Sequence, residues 1–401
     1  MNHEQQYIRK RIWKGRFCSI PFYLCRIFPI KKKKIVFCCI EGTTGYTCNP
    51  KYIAEELIRR NAGYELVWLV NDMAKKFPAE IKVVHNTLWN RAYQLSTSRF
   101  WVDNSRKQLE VRKRRGQIYI QTWHAKLGFK PTCLDRGASF SRIAYLVSKH
   151  DSDMIDYVLS NSRWYDDTLP TGMIYSGPVM RTGSPRCDIL VNDRTEIRKH
   201  VRDRYQIPED GKILMYAPTF RGGSQGTNRT VETGGDFPDY ERLVHALSKR
   251  FGGKWYLFLR LHPQLVARNL DKEQGDALGA DGFVINVSRV DDMYELLAGC
   301  DAFMTDYSSA AFDASVMRVP VFLYTQDYRE YERERGKLLW DLEKLPFPLA
   351  FHMDELERQV DNFDEERYEE EVERLFVETE MAEDGQASVH VVDSIVSMTD
   401  R

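Results

Sequence analysis

Polar residues close several apolar, strand-like runs of this chain, and their types suit holding a diphosphate and supplying a general base. His124 lies in "YIQTWHAKLGFK", Thr219 and Arg221 end "MYAPTFR", and Arg260 and His262 end "LFLRLHP". Ser308 and Ser309 end "FMTDYSS". In open parallel sheets such positions face a ligand crevice. The guanidinium groups of Arg221 and Arg260, with His262, would donate to the oxygens of a diphosphate. The helix-like run after Ser309 would add backbone N–H groups and its dipole. Asp313, one turn further, would accept from a ribose hydroxyl. His124 differs in kind. It belongs to the other half of the chain, and an imidazole that titrates near neutrality suits a general base for a hydroxyl nucleophile.

Each of these residues also has a purely structural role open to it. A serine where a strand hands over to a helix is a good N-cap. A histidine before Pro263 can be a buried residue satisfied by backbone, and His124 can cap a turn. Trp123 suits a core better than a contact surface.

The elements that must position these groups alternate. "KIVFCCIEG" is a continuous apolar run, as expected of a strand covered on both faces. "NPKYIAEELIRRN" follows at helical period, with Asn49 read as its cap and Pro50 in its first turn. "YELVWLVND", "IKVVHN", "RFWVDNS", "GQIYIQTWHAKLG" and "IDYVLSNS" are further strands, with the helix-like "TLWNRAYQLSTS" among them. A charged helix and turn over Asn192–Lys212 mark a boundary. A second series then begins with "KILMYAPTF", "KWYLFLRLHP", "FVINVS", "AFMTDYSS" and "PVFLYT" as strands. "RGGSQGTNRTVETGGD" has no periodicity and reads as a flexible loop. Asp354–Glu378 reads as a solvated acidic helix with Leu and Phe on one face. Strands alternating with helices predict an α/β protein of two Rossmann-like domains facing a cleft. The expected boundaries are a basic aromatic segment over 1–33, an N-terminal acceptor-side domain over 34–191 and a C-terminal donor-binding domain over 192–401. No GxGxxG follows a first strand, and no GxxxxGK[ST] occurs, which argues against a dinucleotide dehydrogenase or a P-loop ATPase.

Composition narrows the partners. Lys+Arg and Asp+Glu both number 58 in 401 residues, so global charge argues for neither nucleic acid nor an acidic partner. The eight cysteines lack pairing or metal spacing, and reduced thiols are the simplest reading. No aspartate cluster has metal spacing, so no resident cofactor or metal is expected. No apolar run approaches the roughly 20 residues of a membrane span. "YIRKRIWKGRFCSIPFYLCRIFPIKKKK" (Tyr7–Lys34) interleaves basic and aromatic residues, which suits a segment lying on an anionic membrane surface; a tail, or a helix packed on the body, is the alternative. The sequence carries no argument about oligomeric state.

The stretches "IQTWHAKLGFK", "TGSPRCDIL", "YAPTFR", "LRLHP", "TDYSSAAFD" and "RGKLLWDLEKLPFPL" occur in that order. Together, from about Lys34 to about Leu356, they resemble the CDP-glycerol glycerophosphotransferase family of teichoic acid primases and polymerases. The resemblance implies a GT-B-type architecture with the nucleotide donor in the C-terminal domain, and a peripheral enzyme on the cytoplasmic membrane face. By motif, His124 is similar to the family's catalytic base. His262, Arg260, Ser308 and Ser309 look like donor-diphosphate ligands, and Asp313 like a ribose contact. One departure bears on the acceptor pocket: many members read His-Gly-Thr-Pro before Leu-Lys, whereas this chain reads "HAKLGFK". The expected reaction is transfer of glycerol phosphate from CDP-glycerol to a hydroxyl of a lipid-linked glycan or polyol-phosphate chain, releasing CMP. The alternatives are a CDP-ribitol-dependent transferase, a nucleotide-sugar glycosyltransferase on the same fold, or a membrane-bound scaffold without turnover.

Overall fold

The computed structural model describes residues 3–221, 232–233, 237–262 and 282–400. The chain divides into two compact units. Unit 1 is Met1–Lys126, Pro131–Asp188 and Met381–Arg401, and unit 2 is Leu127–Lys130 and Ile189–Glu380.

Unit 1 is built on a seven-stranded parallel sheet. Its strands are β1 (Lys31–Cys38), β2 (Glu65–Val70), β3 (Ile81–His85), β4 (Ser98–Asp103), β5 (Ile118–Gln121), β6 (Tyr157–Ser160) and β7 (Val179–Arg181), in the order β3-β2-β1-β4-β5-β6-β7. The apolar run of β1 is continuous because both faces are covered. Val36 and Cys38 enter a core with Val67, Leu69, Trp101 and Tyr119. Ile35 and Phe37 enter the opposite core with Trp68, Phe100 and Ile120. Strand β7 was not expected from the sequence; its three residues carry too little pattern.

Both ends of the chain complete this unit, which corrects the expected boundaries. At the start, helices span His3–Cys18 and Ile20–Leu24. Phe22 is wholly buried beside Ala92, Leu95 and Trp101, so residues 1–33 are not a separate appendage. Gly15 lets the first helix sit close: a Cβ there would lie 2.8 Å from Leu109 Cβ. At the other end, helix Ala387–Thr399 buries Val391, Val392, Ile395 and Met398 against Ile53, Ala54 and Leu57 of helix Cys48–Arg59. Residues 381–401 therefore belong to unit 1, not to the 192–401 domain expected. The reason is spacing: Val391, Ile395 and Met398 form one apolar stripe at helical period, and it covers a sheet face. Hydrogen bonds fix the return: Asn161 Nδ2 and the Ser184 amide each donate to Glu383 at 2.9 Å.

Unit 2 repeats the plan. Its six-stranded parallel sheet contains β8 (Lys212–Tyr216), β11 (Trp255–Leu259), β12 (Val284–Asn286), β13 (Ala302–Thr305), β14 (Val321–Tyr324) and β15 (Leu349–Ala350), in the order β12-β11-β8-β13-β14-β15. Counted within each unit, both sheets begin 3-2-1-4-5-6, the doubly wound order whose crevice lies beyond the carboxyl ends of strands 1 and 4. Of an antiparallel pair, β9 (Phe220–Arg221) with β10 (Glu232–Thr233), Arg221 and all of β10 fall in the stretch expected to be a flexible loop. The rest of that loop, 222–231 and 234–236, lies outside the described residues. The expected acidic helix is two, Met353–Asp361 and Glu365–Thr379. Asp364 divides them by capping the second through the Arg367 amide at 3.0 Å.

Candidate active site

In unit 1 the crevice end of the sheet gathers the turns after β1, β4 and β5. His124 follows β5 and Trp123, whose φ of +49° bends the chain out of the strand. The Trp123 side chain is buried in the core, as its type suggested. His124 Nδ1 lies 2.8 Å from the Asn104 carbonyl, so this nitrogen carries the proton and donates. Nε2 makes no hydrogen bond among the described residues and keeps its lone pair. The residue is exposed at one edge. The protein packed behind the ring pushes its pKa down to about 4; the Asn104 bond works against this, and the Arg186 and Arg106 charges add to it. Water at the exposed edge limits that displacement. The chemical result is an imidazole that is neutral near pH 7 and presents an acceptor.

The supports of this ring were not singled out in the sequence. Arg186 Nη1 donates to the His124 carbonyl at 2.7 Å. Asn49, expected to cap a helix, is instead a wholly buried bridge. Its Nδ2 donates to the Thr122 and Trp123 carbonyls at 3.3 and 2.9 Å, and its Oδ1 accepts from the Arg186 amide at 3.1 Å. The available signal was positional: "RFWVDNS" is another polar strand end, and Arg186 lies in "TGSPRCDIL".

In unit 2 the expected residues also stand at carboxyl ends of strands, but most are engaged. Thr219, after β8, donates through its amide and its hydroxyl to the two oxygens of Asp306, after β13, both at 2.9 Å. This clasp closes the ends of neighbouring strands, and Asp306 was not among the expected residues. Arg260 is buried, with Nη1 donating to the carbonyls of Val287 at 2.7 Å, Ser288 at 3.0 Å and Val290. Burial pushes its pKa down to about 10, which leaves it charged. Its contacts make it a brace for the 287–290 turn. Asp313 is buried and accepts from the Tyr294 hydroxyl at 2.5 Å.

The serine pair divides its roles. Ser308 Oγ accepts from the Ala310 amide at 3.3 Å, the capping role of a serine. Ser309 is half-buried and makes no side-chain capping bond. The following helix, Ala310–Ser315, is short, and the Ala311 and Phe312 amides already donate to the Ser308 and Ser309 carbonyls at 3.1 Å. The Ala311 and Phe312 amides are thus engaged within the chain, while the Ser309 hydroxyl makes no capping bond. His262 is half-buried beyond β11. Arg221 lies in β9, paired with Glu232, and the role expected of its guanidinium falls outside the described residues.

Two doubly wound parallel sheets, one with a histidine at its strand ends and one with hydroxyl and acidic groups there, define a two-unit α/β protein with polar crevice ends in both units. Comparison with known proteins narrows this. The family described as "CDP-Glycerol:Poly(glycerophosphate) glycerophosphotransferase" matches residues 21–397, and the chain belongs to that family. The teichoic acid poly(glycerol phosphate) polymerase of Staphylococcus epidermidis is 27% identical over 91% of this chain, and the chain spans 51% of that relative's length. A teichoic acid glycerol-phosphate transferase of Staphylococcus aureus is 28% identical over 87% of this chain and 90% of its own. Among solved structures, a wall teichoic acid polymerase TagF superposes with a TM-score of 0.79 at 25% identity, covering 100% of this chain and 99% of that one.

Proposed function

We propose that this protein transfers an alditol phosphate, sn-glycerol 3-phosphate foremost, from its CDP conjugate to a hydroxyl of a lipid-linked glycan or polyol-phosphate chain in cell-wall polymer synthesis. The acceptor oxygen bonds to the phosphorus beside the alditol as the bond from that phosphorus to the CMP oxygen breaks. His124 Nε2 takes the hydroxyl proton, and CMP leaves. Phosphoryl transfer of this kind relies mostly on positioning and charge stabilisation. His262 and the Ser309 hydroxyl would meet the diphosphate. Arg260 would act by shaping the 287–290 turn and by its charge, and Thr219 by holding the end of β8. The observation that carries this reading is the state of His124: proton fixed on Nδ1, lone pair left on Nε2.

Incubation with CDP-glycerol, CDP-ribitol and UDP-sugars in turn, with a lipid-linked acceptor, tests it. CMP release is expected, greatest with CDP-glycerol. CMP release with CDP-ribitol alone would change the donor, and UDP release would overturn the reaction. The route uses no resident metal, so a chelator should leave a measurable rate.

The same reading places the protein on the cytoplasmic face of an anionic membrane. Among the described residues no helix is long and apolar enough to cross a membrane. Trp13, Phe17 and Ile27 are 58%, 74% and 82% exposed within a segment rich in arginine and lysine. Such a surface suits the headgroup region, where each basic residue contributes on the order of 1 kcal/mol. Deleting the whole segment would remove buried Phe22 and disturb the core. Replacing Trp13 and Phe17 by Ser is the cleaner test. It should release protein from anionic vesicles in sedimentation and leave turnover on a soluble acceptor analogue unchanged.

A further inference from the structure

The turn after β4 touches both of its neighbours at the crevice end of the unit 1 sheet. Successive carbonyls, from the last residue of β4 into this turn, each take a donor from the last residue of β5 or the turn after it. Asp103 O accepts from the Thr122 amide at 2.8 Å, Asn104 O from His124 Nδ1 at 2.8 Å and Ser105 O from Gln121 Nε2 at 3.1 Å. Its side chains hold the turn after β1. Asn104 Oδ1 accepts from the Ile40 amide at 2.8 Å, and Ser105 Oγ from the Glu41 amide at 2.9 Å.

That turn after β1 is unusual. Ile40, Glu41 and Gly42 have φ of +44°, +56° and +82°, a left-handed run that L side chains avoid. Strained backbone persists only where its surroundings over-determine it, and it gathers at functional sites. Asn104 is fully buried, and its Nδ2 has no hydrogen-bond partner among the described residues. An unpartnered buried amide lowers stability, so packing alone is a poor account of this residue. Its position accounts for it better. One residue ties the strained turn, through its side chain, to the imidazole proton, through its carbonyl.

We propose that Asn104 is a positioning residue for His124, with its side-chain bond to Ile40 fixing the carbonyl that holds the imidazole in its Nδ1–H tautomer and aims Nε2 outward. The proposal rests on the reading of His124 as the base. Misplacement of a reacting group by about 1 Å can lower a rate on the order of a hundredfold.

The test uses the full-length protein with ¹⁵N-labelled histidine, so that the tautomer is read by NMR apart from turnover. Asn104→Ala should lower kcat by roughly ten- to a hundredfold, leave the KM for CDP-glycerol unchanged and erase the Nδ1–H signature of His124. Asn104→Asp keeps an acceptor for the Ile40 amide. It should restore the signature and most of the rate, and its carboxylate should move the acid limb of the pH–rate profile upward. The proposal is overturned if Asn104→Ala keeps the signature and kcat, or changes only the melting temperature. It is equally overturned if Asn104→Asp, folded, fails to restore the signature. Failure of the base reading looks different: His124→Ala would then retain activity whatever the tautomer shows.

Discussion

Beyond β5, His124 has one ring nitrogen bonded and the other without a hydrogen bond among the described residues, and its residue keeps an exposed edge. Beyond β8 and β13, Thr219 and Asp306 bond each other, and beyond β11 the Arg260 guanidinium holds three backbone carbonyls. The two sheets begin with the same strand order, so topology offers both ends equally as crevices. They differ in how much hydrogen-bonding capacity remains. A polar strand end marks where a ligand site lies; the atoms still uncommitted after folding decide which residues can meet a ligand. In unit 1 the imidazole is held by a neighbouring backbone carbonyl. In unit 2 several of the polar groups themselves do the holding.

The comparison can be broken at its base by removing residues 381–401. This deletion is contiguous in sequence with unit 2, yet it strips Val391, Val392 and Ile395 from the core of unit 1. Full burial of each such side chain contributes about 1.5–3 kcal/mol, a large part of the roughly 5–15 kcal/mol of a whole domain. Hydrogen exchange should show lost protection in the β1–β7 sheet with the β8–β15 sheet retained; the reverse pattern would refute the assignment.

A smaller effect is expected at His124, the proposed base. His124→Ala should reduce kcat by about 10²–10⁴-fold and leave CDP-glycerol affinity nearly unchanged, as measured by single-turnover kinetics and calorimetry. Loss of donor affinity with kcat kept would make His124 a binding residue.

Asp306→Ala sharpens the contrast from the other side. It leaves the buried Thr219 amide and hydroxyl without their carboxylate, at a cost of about 1–3 kcal/mol in urea unfolding. Weaker CDP binding should accompany it, with no change in the pH dependence of kcat. A shifted pH profile would show that unit 2 supplies a titrating group after all.

The smallest expected effect is the position of the acid limb. The proposed base must be unprotonated to act, and burial lowers the pKa of His124. The rate should therefore hold as pH falls and decline only below the ordinary imidazole value of about 6.5. A limb at or above that value would mean that the ring is not held as described.

Much of this was legible in the sequence, because local pattern is a local quantity. Continuous apolar runs marked β1, β2, β8, β11 and β13, since a parallel strand buried on both faces must be apolar throughout. The polar residues that end these runs stand at the carboxyl ends of the strands, as read. The very short β7, β9, β10 and β15 escaped, for two or three residues carry little period of their own; β12, equally short, was read only because it lies in the longer apolar run "FVINVS". Asn49 illustrates the other limit. Its place before Pro50 reads as a cap, yet its partners are Thr122, Trp123 and Arg186, far along the chain.

The sequence by itself determined the alternation of strands and helices, the family to which the chain belongs and the histidine expected as base. Only the tertiary structure decided that helix Ala387–Thr399 returns to the first sheet, and that Arg260 and Asp313 face protein groups. It alone put Asn104 between a left-handed turn and the His124 ring. The physical reason is common to all of these. Periodicity and motif spacing are properties of neighbours along the chain, whereas the partner of a buried polar atom is set by which turns the folded sheet brings side by side.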